Sequence, residues 1–181
     1  LAALERHCLL PEVVALGEVG LDYARAPVAP EVQKAALRRL LAAGRDWDKP
    51  LVLHCRAAYA DLRLLVAEAF PEPPPPRRRF WGVVHCFSGT AEDAEFFVRA
   101  GFAVGADGPV TYPKNDALRE AFRRAGPSAV VLETDSVHPF DNLTVTDCLA
   151  ALARQDYPRD LVEVIAVDGG KVPALAALVR K

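Results

Sequence analysis

Leu51-Val52-Leu53-His54-Cys55-Arg56 decides how this chain is read. Three aliphatic residues without polar alternation make a short strand of the kind buried in parallel sheets, and a polar cluster headed by an imidazole closes it. The pattern recurs three times. Val13–Leu16 runs into Gly17-Glu18-Val19-Gly20-Leu21-Asp22, Phe80–Val84 into His85-Cys86-Phe87-Ser88-Gly89, and Ala129–Leu132 into Glu133-Thr134-Asp135-Ser136. A carboxylate, two imidazoles and a second carboxylate therefore stand at equivalent positions of successive strand–helix units. In a parallel barrel the strand C-termini share one rim, so these side chains are expected to converge there.

The segments between the strands read as helices. Pro30 is placed to open one, with Val32, Ala36, Leu40, Ala43 and Trp47 on a single stripe. Gly44 weakens it by about 1 kcal/mol relative to alanine, and Lys49-Pro50 ends it. A second helix carries Leu62, Leu65, Val66, Ala69 and Phe70 inward. Beyond the Phe80 strand, Thr90 and Asp93 form a helix-start pair ahead of Phe96, Phe97 and Ala100. Phe102–Gly105 is a further strand. Asn115 is expected to cap the helix of Leu118, Ala121, Phe122 and Ala125, which Gly126-Pro127 ends.

Glu18, His54 and His85 are separated by 36 and 31 residues, one strand–helix unit each. The fold class expected is α/β, a TIM-type (β/α)8 barrel present as a partial barrel of about five legible units. A closed barrel takes about 250 residues, whereas this chain has 181 and begins at Leu1. The expectation is therefore a single barrel domain over 1–181, with a first strand and parts of the C-terminal region absent.

Composition narrows the function. The chain is 51% hydrophobic and 25% charged, with a net charge of −2, so no bulk field draws it to nucleic acid or a membrane. No apolar run approaches the ~20 residues of a membrane span. Cys8, Cys55, Cys86 and Cys148 are scattered without a Cys-x-x-Cys, which points to reduced thiols and a cytoplasmic location. No obligate protein partner is evident. Arg77–Arg79, beside four prolines, reads as a solvated loop.

Imidazole nitrogen and carboxylate oxygen suit zinc, manganese and similar divalent ions. Glu18 is placed to bridge two ions, His54 and His85 to hold one, and Asp135 to hold the other or to take a proton. The alternative is satisfied histidines and helix-capping carboxylates. Arg56 falls two residues after His54 and so on its side of the strand, where it can grip a phosphate or pair with Glu18 or Asp22. Cys55 and Cys86, each next to a histidine, should point outward into the helix layer. Ser88-Gly89 offers N–H groups to an anion. Glu133 is expected to hydrogen-bond a ligating histidine or pair with an arginine. Asp22 and Tyr23 line the mouth, while Gly105 and Gly108 read as turn residues.

These motifs, together with Gly108-Pro109-Val110-Thr111-Tyr112-Pro113, occur in the order seen in the TatD family of metal-dependent deoxyribonucleases, which the chain resembles over about residues 11–136. The resemblance implies a barrel of the amidohydrolase kind holding one or two divalent metal ions (Mg, Mn or Zn). It implies hydrolysis of DNA at single-stranded ends, in the 3′→5′ direction, by metal-activated water. Glu18, His54, His85 and Asp135 match the family's metal ligands, with Asp135 and Glu18 catalytic. Arg56, Ser88 and Tyr23 are expected to face substrate. Two departures stand out. The family opens on a strand bearing His-x-His, which His7-Cys8 does not supply. The stretch Val137-His138-Pro139-Phe140 also differs from the family's Pro-Tyr-Leu-like continuation. The alternatives are a metal-dependent hydrolase of another ester, amide or lactone, and a non-catalytic truncated barrel.

Overall fold

The computed structural model describes residues 2–133. β1 (Leu16–Asp22), β2 (Leu51–Arg56), β3 (Gly82–Val84), β4 (Phe102–Ala106) and β5 (Val130–Leu132) form one parallel sheet in sequence order. After α1 (Ala2–Cys8), each successive pair of strands is joined through a helix: α2 (Pro30–Asp46), α3 (Tyr59–Ala69), α4 (Ala91–Arg99) and α5 (Asp116–Ala125). This is the expected α/β architecture, a partial TIM-type barrel whose strand C-termini lie on one rim.

The first strand is displaced from its expected place. Val13–Ala15 precede it, and the polar motif is itself the strand, so Glu18 lies within β1 rather than beyond it. Pairing decides this. Val19–Asp22 take register with Leu53–Arg56, and Gly20 faces His54. A Cβ at Gly20 would run into the His54 carbonyl oxygen, so the two backbones can approach only over a glycine. The register shifts between Leu16 and Val19, a bulge that leaves Glu18 exposed at the sheet edge. β3 and β5 are shorter than expected; Pro127–Ala129 form a 3₁₀ turn instead of extending β5.

Helix packing also corrects one expectation. α2 buries Leu37, Leu41, Ala43 and Gly44, not the stripe through Val32 and Ala36. The helix sits on the sheet at Gly44, where an added Cβ would stand 2.6 Å from Leu51 Cδ2. That contact turns Val32 outward. α3 buries Leu62, Leu65 and Val66 as expected. α4 begins with a full capping box. Thr90 Oγ1 accepts from the Asp93 N–H at 3.2 Å, and Asp93 Oδ2 accepts from the Thr90 N–H at 2.9 Å. Asn115 does not cap α5 through its side chain; it donates instead to the Pro109 carbonyl at 2.9 Å, bracing the preceding loop. Gly126 ends α5 at φ +81°.

The arginine run is solvent-facing at Arg77 and Arg79, as expected, and is also fastened. Arg77 and Arg78 each reach Asp48 at 2.9 Å, and Arg79 donates to the Ser128 carbonyl at 2.6 Å. No helix among the described residues is long and apolar enough to cross a membrane.

Phe87 ties the site to the core. It is buried two residues after His85, edge-on to Tyr59 at 5.4 Å and to Phe122 at 5.9 Å, and its N–H donates to the Gly105 carbonyl at 3.0 Å. Phe87→Ala leaves a cavity at this junction and is expected to cost about 3–5 kcal/mol, read as a lowered urea midpoint with little change in slope.

Candidate metal centre

The rim gathers side chains from four strands. Glu18 comes from the β1 bulge, His54 from β2, His85 from the residue after β3 and Glu133 from the residue after β5. Glu18 Oε1 lies 2.9 Å from His54 Nδ1 and 3.9 Å from His85 Nε2. One carboxylate oxygen thus faces both imidazoles that the sequence singles out. On its other side, His54 Nε2 lies 3.3 Å from Asp22 Oδ2.

Asp22 is a member that motif reading placed only at the mouth. Its Oδ1 accepts from the N–H groups of Ala24 and Arg25 at 2.9 and 2.7 Å, while Oδ2 reaches His54. Burial acts to raise this carboxyl, but the Arg25 and Ala24 N–H groups and then the His54 ring outweigh it, so it lies below the ordinary carboxylate range. The available signal was spacing. Gly20 and Asp22 fall two apart in β1, and the register sets Asp22 beside Arg56, two residues beyond His54.

The second half of the rim is a cluster whose geometry could hold a metal ion. His85, Cys86 and Glu133 hold their ligand atoms within 4.8 Å of one another. Glu133 Oε2 lies 3.0 Å from His85 Nδ1, and Oε1 accepts from the Cys86 N–H. Cys86 overturns the expectation that it faces the helix layer. Its backbone is left-handed at φ +44°, breaking the strand's alternation, and its Sγ lies 3.1 Å from His85 Nε2. Cys55 follows the expectation: it is buried in the core, and burial pushes its thiol up to about 12.

The remaining candidates divide. Arg56 is half-buried and its side chain makes no hydrogen bond or ion pair among the described residues, so of its two alternatives the pair with Glu18 or Asp22 is not formed. His54 takes both of those carboxylates instead. The Ser88 N–H, read as an anion donor, is given to the Tyr59 hydroxyl at 2.8 Å. Tyr23 donates to Asp61 Oδ2 at 2.7 Å; burial first, and then Asp61, push its hydroxyl up to about 12. Asp135, Ser136 and His138 lie outside the described residues.

A neutral imidazole donates from one nitrogen only. His54 has carboxylate oxygens against both nitrogens, so one of them turns a lone pair toward negative charge unless the ring is protonated or a cation lies between. Carboxylate oxygens and imidazole nitrogens gathered at one rim are also the donor set of zinc and manganese sites. The residues present fit a divalent ion. Beside them a groove of about 470 Å³ opens, its lining including Glu18, Asp22 and His54 together with the apolar Val28, Val32 and Leu40.

The family model described as TatD related DNase matches residues 1–176. The chain belongs to that family. It is 35% identical over 136 residues to the 3′-5′ ssDNA/RNA exonuclease TatD of Erwinia billingiae (strain Eb661), covering 75% of this chain and 50% of that protein. It is also 35% identical over 135 residues to YjjV, an uncharacterized metal-dependent hydrolase of Escherichia coli (strain K12), covering 74% of this chain and 48% of that protein. The crystal structure of YjjV from Escherichia coli K12 superimposes with a TM-score of 0.66 at 30% identity, over 88% of this chain and 62% of that one. An amidohydrolase structure from Saccharomyces cerevisiae shares the fold, with a TM-score of 0.61 at 19% identity, over 99% of this chain and 56% of that one. The chain spans about half the length of the curated relatives it matches.

Tyr23 and Asp61 bolt the mouth of this TatD-family chain to α3, and Lys34 joins them at 3.5 Å from Asp61. The Tyr23 hydrogen bond, with Lys34 beside it, holds the Asp61 carboxyl below its ordinary value of 3.8. A depressed carboxyl contributes stability that is present above its unfolded value and lost as pH falls through its folded one. Melting temperatures of the parent and Asp61→Asn are expected to differ at pH 7 and to converge as pH falls below about 4.

Proposed function

We propose that the rim is the centre of a divalent-metal-dependent hydrolase that cleaves nucleic-acid phosphodiester bonds, acting as a 3′→5′ exonuclease on single-stranded ends. The observation that carries this reading is the Glu18 oxygen shared between His54 and His85. Membership of the TatD family supports it, as do relatives named as ssDNA/RNA exonucleases or metal-dependent hydrolases.

On this reading Glu18, His54, His85 and Asp135 would hold one or two divalent ions. A bound ion supplies Lewis acidity, polarising a phosphoryl oxygen and lowering the pKa of a water. The other steps belong to side chains of this chain. Asp135 accepts the proton of the attacking water. Arg56, with no ion-pair partner among the described residues, meets a non-bridging phosphate oxygen with its guanidinium fork. Tyr23, held neutral, stays at the mouth as a hydrogen-bonding wall rather than an acid or base. The apolar lining residues Val28, Val32 and Leu40 receive the sugar and base flanking the scissile phosphate. Such local contacts are required because a net charge of −2 gives no general attraction for a polyanion. Free thiols at Cys8 and Cys55 support action in a reducing compartment such as the cytoplasm.

The test uses a 5′-labelled single-stranded oligodeoxynucleotide with Mg²⁺, Mn²⁺ or Zn²⁺. Stepwise shortening from the 3′ end is expected, lost on chelation and abolished in both His85→Ala and Asp135→Ala. Turnover retained in both variants overturns the mechanism. A blocked 3′ end that leaves the rate unchanged overturns the exonuclease reading.

A further inference from the structure

We infer that Glu133 is a positioning residue for His85, holding its ring with the proton on Nδ1, and that Gly105 exists to let it do so. The consequence for metal binding rests on the reading above; the geometry does not.

Glu133 follows β5, and His85 follows β3. β4 lies between them in the sheet. Neighbouring strands are about 4.8 Å apart, so a carboxylate from β5 must cross roughly two strand spacings to reach a β3 residue. It crosses β4 at Gly105, one register position before the end of the β4–β5 pairing. A Cβ at Gly105 would stand 2.6 Å from Glu133 Oε2 and nearer still to Oε1 and Cδ. The obstruction is a carboxylate held at both oxygens, not the loose end of a surface chain. Even alanine at 105 must therefore displace Glu133 from its path.

At its destination the carboxylate makes two contacts. Oε2 lies 3.0 Å from His85 Nδ1, with both side chains only 15% exposed. An unprotonated Nδ1 would set a lone pair against an oxygen anion in a shielded place, so the ring proton sits on Nδ1. Nε2 then carries the lone pair, and it is the nitrogen that lies 3.1 Å from Cys86 Sγ and 3.9 Å from the shared Glu18 oxygen. Oε1 accepts from the Cys86 N–H. Cys86 holds a left-handed backbone at φ +44°, which L residues avoid. A charge-assisted bond to its N–H secures the turn that aims His85. One carboxylate thus sets both the tautomer and the direction of the ring, the arrangement by which outer partners tune metal-ligating histidines.

Long-range ¹H–¹⁵N spectra of the metal-free full chain at pH 8 read the His85 tautomer directly. The parent protein is expected to show the proton on Nδ1. Glu133→Ala and Gly105→Ala are each expected to shift His85 toward the Nε2–H form and weaken Zn²⁺ or Mn²⁺ binding, by calorimetry, about 10–100-fold. Glu133→Gln, which keeps one acceptor oxygen, should fall between. A parent His85 protonated on Nε2 overturns the inference without any variant, as does Glu133→Ala with unchanged tautomer and affinity. A parent chain that binds neither ion sinks the metal reading while leaving the tautomer result to decide this one.

Discussion

The approach of β1 to β2 over Gly20 is the constraint on which the rest of the structure depends. Parallel pairing at this point brings a glycine against the His54 backbone, and any side chain there would push the strands apart. With the strands in register, the bulge beside Gly20 brings Glu18 Oε1 within 2.9 Å of His54 Nδ1, and β3 then adds His85 from the next position along the rim. Open that pairing by an ångström and the Glu18 oxygen no longer faces two imidazoles. The gathering of these side chains is thus a by-product of sheet geometry, with glycine at the points where the polar residues and backbones come close.

The rim is divided into two halves with different electrostatics. Around His54 the carboxylates of Glu18 and Asp22 stand on opposite sides of one ring, an excess of negative charge that favours a cation. Around His85 a single carboxylate holds both the ring and the turn next to it. The first half lies at the sheet edge beside the groove, with Glu18 exposed; in the second, His85 and Glu133 are both largely shielded from solvent. Glu18 is the link between them.

Much of this was legible in the linear pattern. Short aliphatic runs ending in Glu18, His54 and His85 at one-unit spacing were enough for a parallel sheet with those residues on one rim. The capping box at Thr90 and Asp93 was equally plain, because capping is settled within four residues. The failures have a common cause. The start of β1, the buried face of α2 and the direction of Cys86 each depend on a partner distant in sequence: β2 for the first, Leu51 against Gly44 for the second, Glu133 for the third. Period-two reasoning sends Cys86 outward, and it holds only while the backbone stays extended. A positive φ at that residue cancels it.

The sequence by itself determined the alternation of strand and helix, the presence of Glu18, His54 and His85 on one rim, and the family, since these follow from local apolar periodicity and from residue types at fixed spacing. Only the tertiary structure decided that His54 takes Asp22 as well as Glu18, that Arg56 is left without a carboxylate among the described residues, and that Glu133 reaches His85 across Gly105. Those outcomes turn on distances of 3 to 4 Å between segments tens of residues apart. Such distances are set by strand register and by which side chain is missing from the path, and neither quantity is written in any single stretch of the chain.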